Sequence, residues 1–153
     1  MFKKHDIKVK ELDCDYTGLF CMQDNILFKD VYPNIKDRAE IYAPLMLNRT
    51  KEDKGCYIIY VTRYDKSLGE RLLSPLYVGR SVTFLSRFRQ HYREGFIDKY
   101  WKDCDNLWDD YEPLNYGLWV ISNATERCVK EHILIDKYKP YYNKRVNGNT
   151  VNY

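Results

Sequence analysis

The chain has 153 residues with 25 Lys or Arg and 22 Asp or Glu, which gives a formal net charge of +3. This length suits one ordinary domain that can bury a sizeable hydrophobic core. The weak net charge does not by itself indicate a nucleic-acid partner. No apolar run approaches the ~18 residues of a membrane span. The charged start has no apolar stretch behind it, so we expect no signal peptide.

The positive charge is concentrated in two blocks of the sequence. Residues 51–100 carry ten basic and six acidic side chains, a net charge of +4, and residues 126–153 carry six and three, a net charge of +3. Residues 101–125 lie between them with one basic and five acidic side chains, a net charge of −4. If the two basic blocks meet in the fold, they form a positive face. Solvated surfaces without a ligand give the same pattern.

The five cysteines form no C-x-x-C pair and have no spacing typical of a zinc site; they are Cys14, Cys21, Cys56, Cys104 and Cys128. An odd, scattered set without a signal peptide predicts reduced thiols in a cytoplasmic compartment. We expect these residues to be small apolar packing groups rather than nucleophiles or ligands.

Strands are predicted in the first half of the chain. The apolar and polar residues at 7–12 alternate, which predicts a half-buried strand. Residues 56–62 are aromatic and β-branched and predict a second strand, and a shorter strand is predicted at 76–78. The polar stretch 64–75 contains Gly and Pro. It predicts a loop that is long for a hairpin.

A basic helix is predicted at residues 81–93, where Ser81 or Thr83 can act as the N-cap. The segment contains three Arg and no acidic residue. Its apolar side chains recur at helical spacing on one side. Arg87 and His91 are four residues apart, so they are neighbours at the flank of that apolar face.

Three further elements are predicted after the basic helix: a short helix around 101–108, a strand at 116–121 and a final helix that ends near 138. Asn123 or Thr125 can cap the final helix, and the proline two residues beyond it ends it.

One carboxylate of the final helix lies on an otherwise apolar face. The face of Glu131 is shared with Cys128, Leu134, Ile135 and Tyr138. A carboxylate on such a face is costly unless it is paired. Two interpretations stay open: an ion pair with Arg127, one turn earlier, or a metal ligand at the edge of a cleft.

Several polar and glycine residues follow one another in an order that carries more information than any of them alone. The set consists of Gly55-Cys56-Tyr57, Tyr77-Val78-Gly79, Arg87, His91, Glu131 and Pro140-Tyr141-Tyr142-Asn143. Over residues 55–143 this order resembles the GIY-YIG nuclease superfamily. Cys56 stands where the family has a larger apolar residue, and Val78 stands for Ile. Cys is small and apolar, so it can still serve in the core, and Val for Ile is a conservative replacement.

The resemblance implies an α+β fold with a small three-stranded antiparallel sheet flanked by helices. This GIY-YIG nuclease domain would occupy residues 55–153. Residues 1–54 would form an N-terminal extension used for recognition or dimerisation.

The resemblance also implies hydrolysis of a nucleic-acid phosphodiester with one divalent cation, Mg²⁺ or Mn²⁺. Glu131 would bind the metal as a hard oxygen ligand. Arg87 would stabilise the developing phosphate charge. Tyr57 would be the general base toward the attacking water, which requires its pKa of about 10 to fall under the influence of nearby positive charge.

The remaining site residues have less sharply defined roles in the resemblance. Tyr77 would orient the water or the phosphate, or share the proton. His91 would relay a proton with Tyr57 or bind phosphate. Gly79 and Asn143 would brace the site, Asn143 through backbone hydrogen bonds. Candidate contacts to nucleic-acid phosphates, which are equally what a solvated surface shows, are Arg80, Arg89, Arg93, Lys137, Lys139, Lys144 and Arg145.

The resemblance therefore implies a metal-dependent DNA endonuclease, either restriction-like or from a mobile element or phage. We expect the protein to lie in the cytoplasm and to bind no membrane. The long loop at 64–75 and the run Tyr57-Ile-Ile-Tyr-Val are similar to those of GIY-YIG type II restriction endonucleases, which act as homodimers. Three alternatives stay open: RNA as the substrate, a stand-alone repair or single-strand-specific nuclease, and a non-catalytic nucleic-acid-binding module of the same fold.

Overall fold

The computed structural model describes residues 7–20, 54–104, 114–146 and 149–151. The strands are β1 (Ile7–Lys8), β2 (Tyr16–Leu19), β3 (Gly55–Asp65), β4 (Glu70–Ser81), β5 (Asn115–Val120), β6 (Lys144–Val146) and β7 (Asn149–Val151). The α-helices are α1 (Phe84–Arg93), α2 (Phe96–Cys104) and α3 (Ala124–Tyr138), and a 3₁₀ turn spans Val9–Glu11. Of the helices in these ranges, none has the length and apolar character needed to cross a membrane.

One five-stranded antiparallel sheet forms the centre of the fold, in the order β1-β4-β3-β5-β2, and β6 pairs with β7 in a separate hairpin. The predicted α+β class is confirmed. The three predicted strands of the nuclease-like segment are the central β4, β3 and β5. The predicted strand count of three is too low, because β1 and β2 come from the segment expected to be an extension and pair with the two outer strands.

The connection between β3 and β4 is a tight turn, so the predicted loop at 64–75 is wrong. Only residues 66–69 lie between the strands, and the Gly69 amide donates to the Asp65 carbonyl at 2.8 Å. Gly69 has φ 65°, a conformation that glycine adopts without strain. Pro75 lies inside β4 beside a shift of register after Ile59, and such an irregularity tolerates a residue without an N–H.

The two faces of the sheet are covered by different helices. On one face, α3 packs against side chains that include Cys56, Ile58 and Tyr60. On the other face, α1 packs against Tyr57 of the same strand, and α2 contacts Tyr77 of β4 through Phe96. Phe20, just after β2, contacts the rings of Phe88 and Phe96 there. The central strands are therefore buried on both sides.

The helices begin and end close to the predicted positions. Helix α1 starts at Phe84, three residues later than predicted, and α2 starts before its predicted range, of which 105–108 lies outside the described residues. Helix α3 is capped by Asn123, whose Oδ1 accepts from the Glu126 amide at 2.9 Å. It ends at Lys139, which has φ 47° and donates its N–H to the Ile135 carbonyl.

Candidate functional site

Tyr57 and Tyr77 stand side by side on the face of the sheet that α1 covers. In the register of β3 and β4, Tyr57 lies opposite Gly79, and Ile59 lies opposite Tyr77. The two rings are stacked with centroids 5.9 Å apart. A Cβ on Gly79 would lie 2.6 Å from Tyr57 Oη and 2.9 Å from the Tyr77 ring. The pair of tyrosines therefore requires glycine at position 79.

His91 of α1 is hydrogen-bonded to one tyrosine and packs on the other. Its Nε2 lies 2.6 Å from Tyr57 Oη, and its ring centroid is 4.6 Å from that of Tyr77. Burial, and then the positive charge of Arg87, lower the pKa of His91 to about 3, so the imidazole is neutral at physiological pH. Its Nδ1 is buried and has no hydrogen-bond partner in the described part of the chain.

Arg87 connects the tyrosines to a polar row along α1. Its Nη2 donates to Tyr77 Oη at 3.3 Å, and its Nη1 donates to Gln90 Oε1 at 2.5 Å. Gln90 Nε2 in turn donates to Glu94 Oε1 at 2.9 Å. The sequence interpretation did not include Gln90 or Glu94, although their spacing from Arg87 and from each other is that of neighbours on a helix surface.

Glu131 of α3 pairs with Arg80, at 3.2 Å between Oε1 and Nη1. The expected alternative of an ion pair with Arg127 is wrong. The Arg127 guanidinium donates instead to the carbonyls of Ile121 and Ser122, at 3.2 and 2.7 Å. Burial raises the pKa of Glu131, against the opposing effect of positive charge that includes Arg80.

Burial raises the pKa of both site tyrosines, whereas the proposed role of Tyr57 as a base requires its pKa to fall. Burial raises the pKa of Tyr57 well above its usual value, and proximity to Tyr77 adds to this, while Arg87 opposes it. Burial also raises the pKa of Tyr77 against the effect of Arg87. Removing the hydroxyls from water thus outweighs one nearby positive charge. Burial therefore opposes the fall in pKa that the role of Tyr57 as a base requires, and the resting pair Tyr57–His91 is neutral.

Asn143 fixes the segment after α3 to the edge of β4. Its Oδ1 accepts from the Val78 amide at 2.8 Å, and its Nδ2 donates to the Val78 carbonyl at 2.9 Å. The Tyr142 amide donates to the Leu76 carbonyl at 2.7 Å in the same segment. Asn143 therefore makes the backbone hydrogen bonds expected from the sequence, immediately between Tyr77 and Gly79.

The predicted phosphate contacts fall in four different parts of the structure. Arg80 lies against Glu131. Lys137 and Lys139 are exposed at the end of α3, where the Lys137 Nζ lies 5.1 Å from the Tyr138 ring centroid. The remaining residues have side chains outside what the structure describes; they are Arg89 and Arg93 of α1 and Lys144 and Arg145 of β6.

The three described thiols, Cys14, Cys56 and Cys128, are free. Cys56 is buried beneath α3, where its Sγ donates to the Arg127 carbonyl at 3.2 Å. Burial raises the pKa of this thiol to about 12. Cys56 therefore acts as a packing residue, as expected, and not as a nucleophile.

A divalent cation at this site would have one protein carboxylate. Within the described ranges, no three His, Cys, Asp or Glu side chains gather into a cluster that could hold a metal ion. Glu131 offers a hard oxygen donor, and its side chain is 17% exposed. Mg²⁺ characteristically binds one or two carboxylates and completes its shell with water and phosphate oxygens. The donor present is compatible with that mode of binding.

The candidate site thus consists of side chains from four elements: Tyr57 of β3, Tyr77 of β4, Arg87 and His91 of α1, and Glu131 of α3. The first four contact one another, and the charge of Glu131 acts on both tyrosines. Comparison with protein-family models, with curated proteins and with solved structures gives no match.

Proposed function

We propose that this chain is a metal-dependent endonuclease that hydrolyses DNA phosphodiester bonds and has the GIY-YIG nuclease fold. The observation that supports this most is the cluster itself. Tyr57, Tyr77, Arg87 and His91 are separated in sequence, yet they form one network of hydrogen bonds and ring contacts. Glu131 is the nearby carboxylate that the same chemistry requires.

Phosphodiester hydrolysis generates negative charge on the phosphoryl oxygens, and Arg87 is placed to stabilise it. Its guanidinium is held by Tyr77 on one side and by Gln90 on the other. Both acceptors are neutral, so the hydrogen bonds orient the guanidinium without cancelling its charge. A phosphate beside Arg87 would gain a charge-assisted, bidentate hydrogen bond.

Tyr57 and His91 would together accept the proton that the attacking water loses. A free phenolate is unfavourable because burial raises the pKa of Tyr57. The hydrogen bond to His91 Nε2 offers another route, in which Tyr57 accepts a proton from water while it passes its own proton to His91. A phosphate beside Arg87 assists this step. It offsets the positive charge that, after burial, lowers the pKa of His91.

Glu131 would hold Mg²⁺ or Mn²⁺ at the edge of this cluster. When bound, such a cation supplies Lewis-acid stabilisation of the phosphate and leaving-group oxygens. Glu131 must exchange its contact with Arg80 for this role.

The type of nuclease is a separate part of the proposal. The similarity to restriction endonucleases depended partly on a long loop at 64–75, and that segment is a tight hairpin. We retain a restriction-like enzyme, or one from a mobile element or phage, ahead of a repair or single-strand-specific nuclease. A homodimer, action on RNA, the cytoplasmic location and the division at residue 54 remain predictions of the sequence.

A non-catalytic nucleic-acid-binding module is the second candidate function. It is favoured by one observation: Tyr57 and Tyr77 are completely buried, as packing residues are. Such a module would bind nucleic acid without cutting it.

Plasmid cleavage with Mg²⁺ or Mn²⁺ tests the proposal. We expect wild-type protein to convert supercoiled DNA to nicked or linear forms, and Glu131→Gln to lower the rate by about 100-fold or more. The matched control is Glu126→Gln, because Glu126 lies on the same helix and is exposed. We expect this control to cleave at the wild-type rate.

Undiminished cleavage by Glu131→Gln would contradict the assigned role of the carboxylate. Binding of DNA or RNA without cleavage by clean wild-type protein would favour the binding module. Discrete digestion bands would support the restriction-like type, and a smear would count against it.

A further inference from the structure

The ion pair between Arg80 and Glu131 places a cation on the carboxylate that the proposed function assigns to a metal. The contact joins one nitrogen of Arg80 to one oxygen of Glu131, at 3.2 Å. A guanidinium and a divalent cation compete for the same carboxylate. The inference drawn from this contact rests on the proposed function.

The two partners of this ion pair differ in their environment. The Glu131 side chain is 17% exposed, whereas the Arg80 side chain is 45% exposed. Arg80 follows Gly79, the residue that lies against both site tyrosines. Arg80 is the register partner of Cys56, so its side chain lies on the α3 face, where Glu131 is. Its guanidinium is nearly half exposed and accessible to a ligand from solvent, so it can exchange the carboxylate for a phosphate oxygen.

We infer that Arg80 is a positioning residue that occupies Glu131 until a phosphate of the nucleic acid draws the guanidinium away, which makes phosphate binding and divalent-cation binding interdependent. A phosphate bound by Arg80 leaves the Glu131 oxygens available to the cation. A cation bound by Glu131 leaves Arg80 available to the phosphate. Each ligand therefore increases the affinity for the other, as thermodynamic linkage requires.

The local charge favours binding of the phosphate before the cation. Arg80 and Arg87 carry two positive charges and Glu131 carries one negative charge, so these three groups sum to +1. A divalent cation alone would raise the sum to +3, whereas a phosphate first lowers it to 0. Charge repulsion thus disfavours the cation in the absence of nucleic acid.

Calorimetric titration with Mn²⁺, without DNA, measures the competition directly. We expect Arg80→Gln to bind Mn²⁺ about fivefold more tightly than wild type, because the cation no longer has to displace an ion pair of two unit charges, worth about 1 kcal/mol at about 4 Å in water. Arg80→Lys keeps the charge and should bind as weakly as wild type. Arg71→Gln is the matched control, because Arg71 is exposed on the same strand roughly 30 Å away.

Equal Mn²⁺ affinity of Arg80→Gln, wild type and Arg71→Gln would overturn the inference. Tighter binding that persists in the double variant Arg80→Gln/Glu131→Gln would also overturn it, because the gained site must be Glu131. Tighter binding that the second substitution removes would support it.

A second measurement needs no metal. In EDTA, anisotropy of a fluorescein-labelled DNA duplex should show that Glu131→Gln binds DNA about fivefold more tightly than wild type, because Arg80 becomes available. The gain should be smaller in the Arg80→Gln background, and an equal gain in both backgrounds would overturn the coupling.

The two proposals fail in different ways. If wild type cleaves DNA and Glu131→Gln does not, while Arg80→Gln leaves Mn²⁺ affinity unchanged, the role of Arg80 is overturned and the nuclease assignment stands. If wild type neither binds nor cleaves nucleic acid, both are overturned.

Discussion

Two faces of one strand show how differently buried residues are used in this protein. Toward α3, residues such as Cys56 and Ile58 join an apolar cluster. Toward α1, Tyr57 is hydrogen-bonded to the buried His91, beside the half-buried Arg87. Both faces are closely packed, yet only one buries a network of titratable groups. The face toward α3 is mainly an apolar core, with the ion pair of Arg80 and Glu131 beside it, and the face toward α1 holds the other four residues of the candidate site.

Tyr57 and Tyr60 make this comparison within β3. Both are buried tyrosines, and burial raises the pKa of each, that of Tyr60 to about 12. Tyr60 belongs to the apolar cluster beneath α3, whereas Tyr57 contacts His91 and Tyr77. A raised pKa therefore does not mark the site, because burial alone produces it. The contacts of the hydroxyl make the distinction.

The largest expected effect is on DNA cleavage, when a tyrosine of the α1 face is replaced. We expect Tyr57→Phe to lower DNA cleavage by about 100-fold or more, because it removes the group proposed to accept the proton from water. Tyr60→Phe is the control on the opposite face and should cleave at the wild-type rate. Plasmid nicking assays at equal folded concentration measure both. Equal activity of the two variants would show that the faces do not differ in function.

The next largest effect is on the free energy of unfolding, when a core residue of α3 is truncated. Leu134 is 1% exposed in the core beneath α3, so Leu134→Ala should lower the free energy of unfolding by about 3 kcal/mol. The neighbouring Ile133 is 53% exposed, and Ile133→Ala should cost less than about 0.5 kcal/mol. Urea denaturation measures both. A cost shared equally by the two positions would contradict the packing of α3.

The smallest effect concerns the pH dependence of stability on the α1 face. The pKa of His91 is about 3 in the folded protein and 6.5 when unperturbed, so the unfolded state binds more protons between these values. Stability therefore falls as the pH falls through this range. Between pH 6.5 and 5.5, wild type should lose about 1 kcal/mol more than His91→Gln, which binds no proton.

Urea denaturation of both proteins at the two pH values gives this difference directly. Only the change with pH is compared, so any loss of packing in His91→Gln cancels. Parallel losses in the two proteins would show that His91 takes up protons in the folded state and is not isolated from water.

The sequence predicted the centre of the sheet better than its edges. Residues 56–62 and 116–121 are rich in aromatic and β-branched side chains, and both form strands there. The length of β4 was missed because Pro75 and Gly69 were taken as loop residues. Gly69 lies in the tight turn that joins β3 and β4, and Pro75 lies in β4 beside a shift in the register with β3. That register depends on the partner strand, which local sequence does not specify.

The candidate site was also predicted only in part. The order of Tyr57, Tyr77, Arg87, His91 and Glu131 in the sequence predicted which residues belong to it. It did not predict how far each would be removed from water. The pKa of Tyr57 was expected to fall because positive charge is near, and it rises because burial outweighs that charge.

The sequence by itself determined the alternation that sends Tyr57 and Cys56 to opposite faces, because the side chains of a strand alternate. It also limited the cap of α3 to Asn123 or Thr125, and the structure shows Asn123 bonded to an amide three residues away. Only the tertiary structure decided that Glu131 pairs with Arg80 rather than with Arg127. Arg127 is close in sequence, but its guanidinium bonds to carbonyls before α3, and β4 brings Arg80 to the carboxylate from 51 positions away.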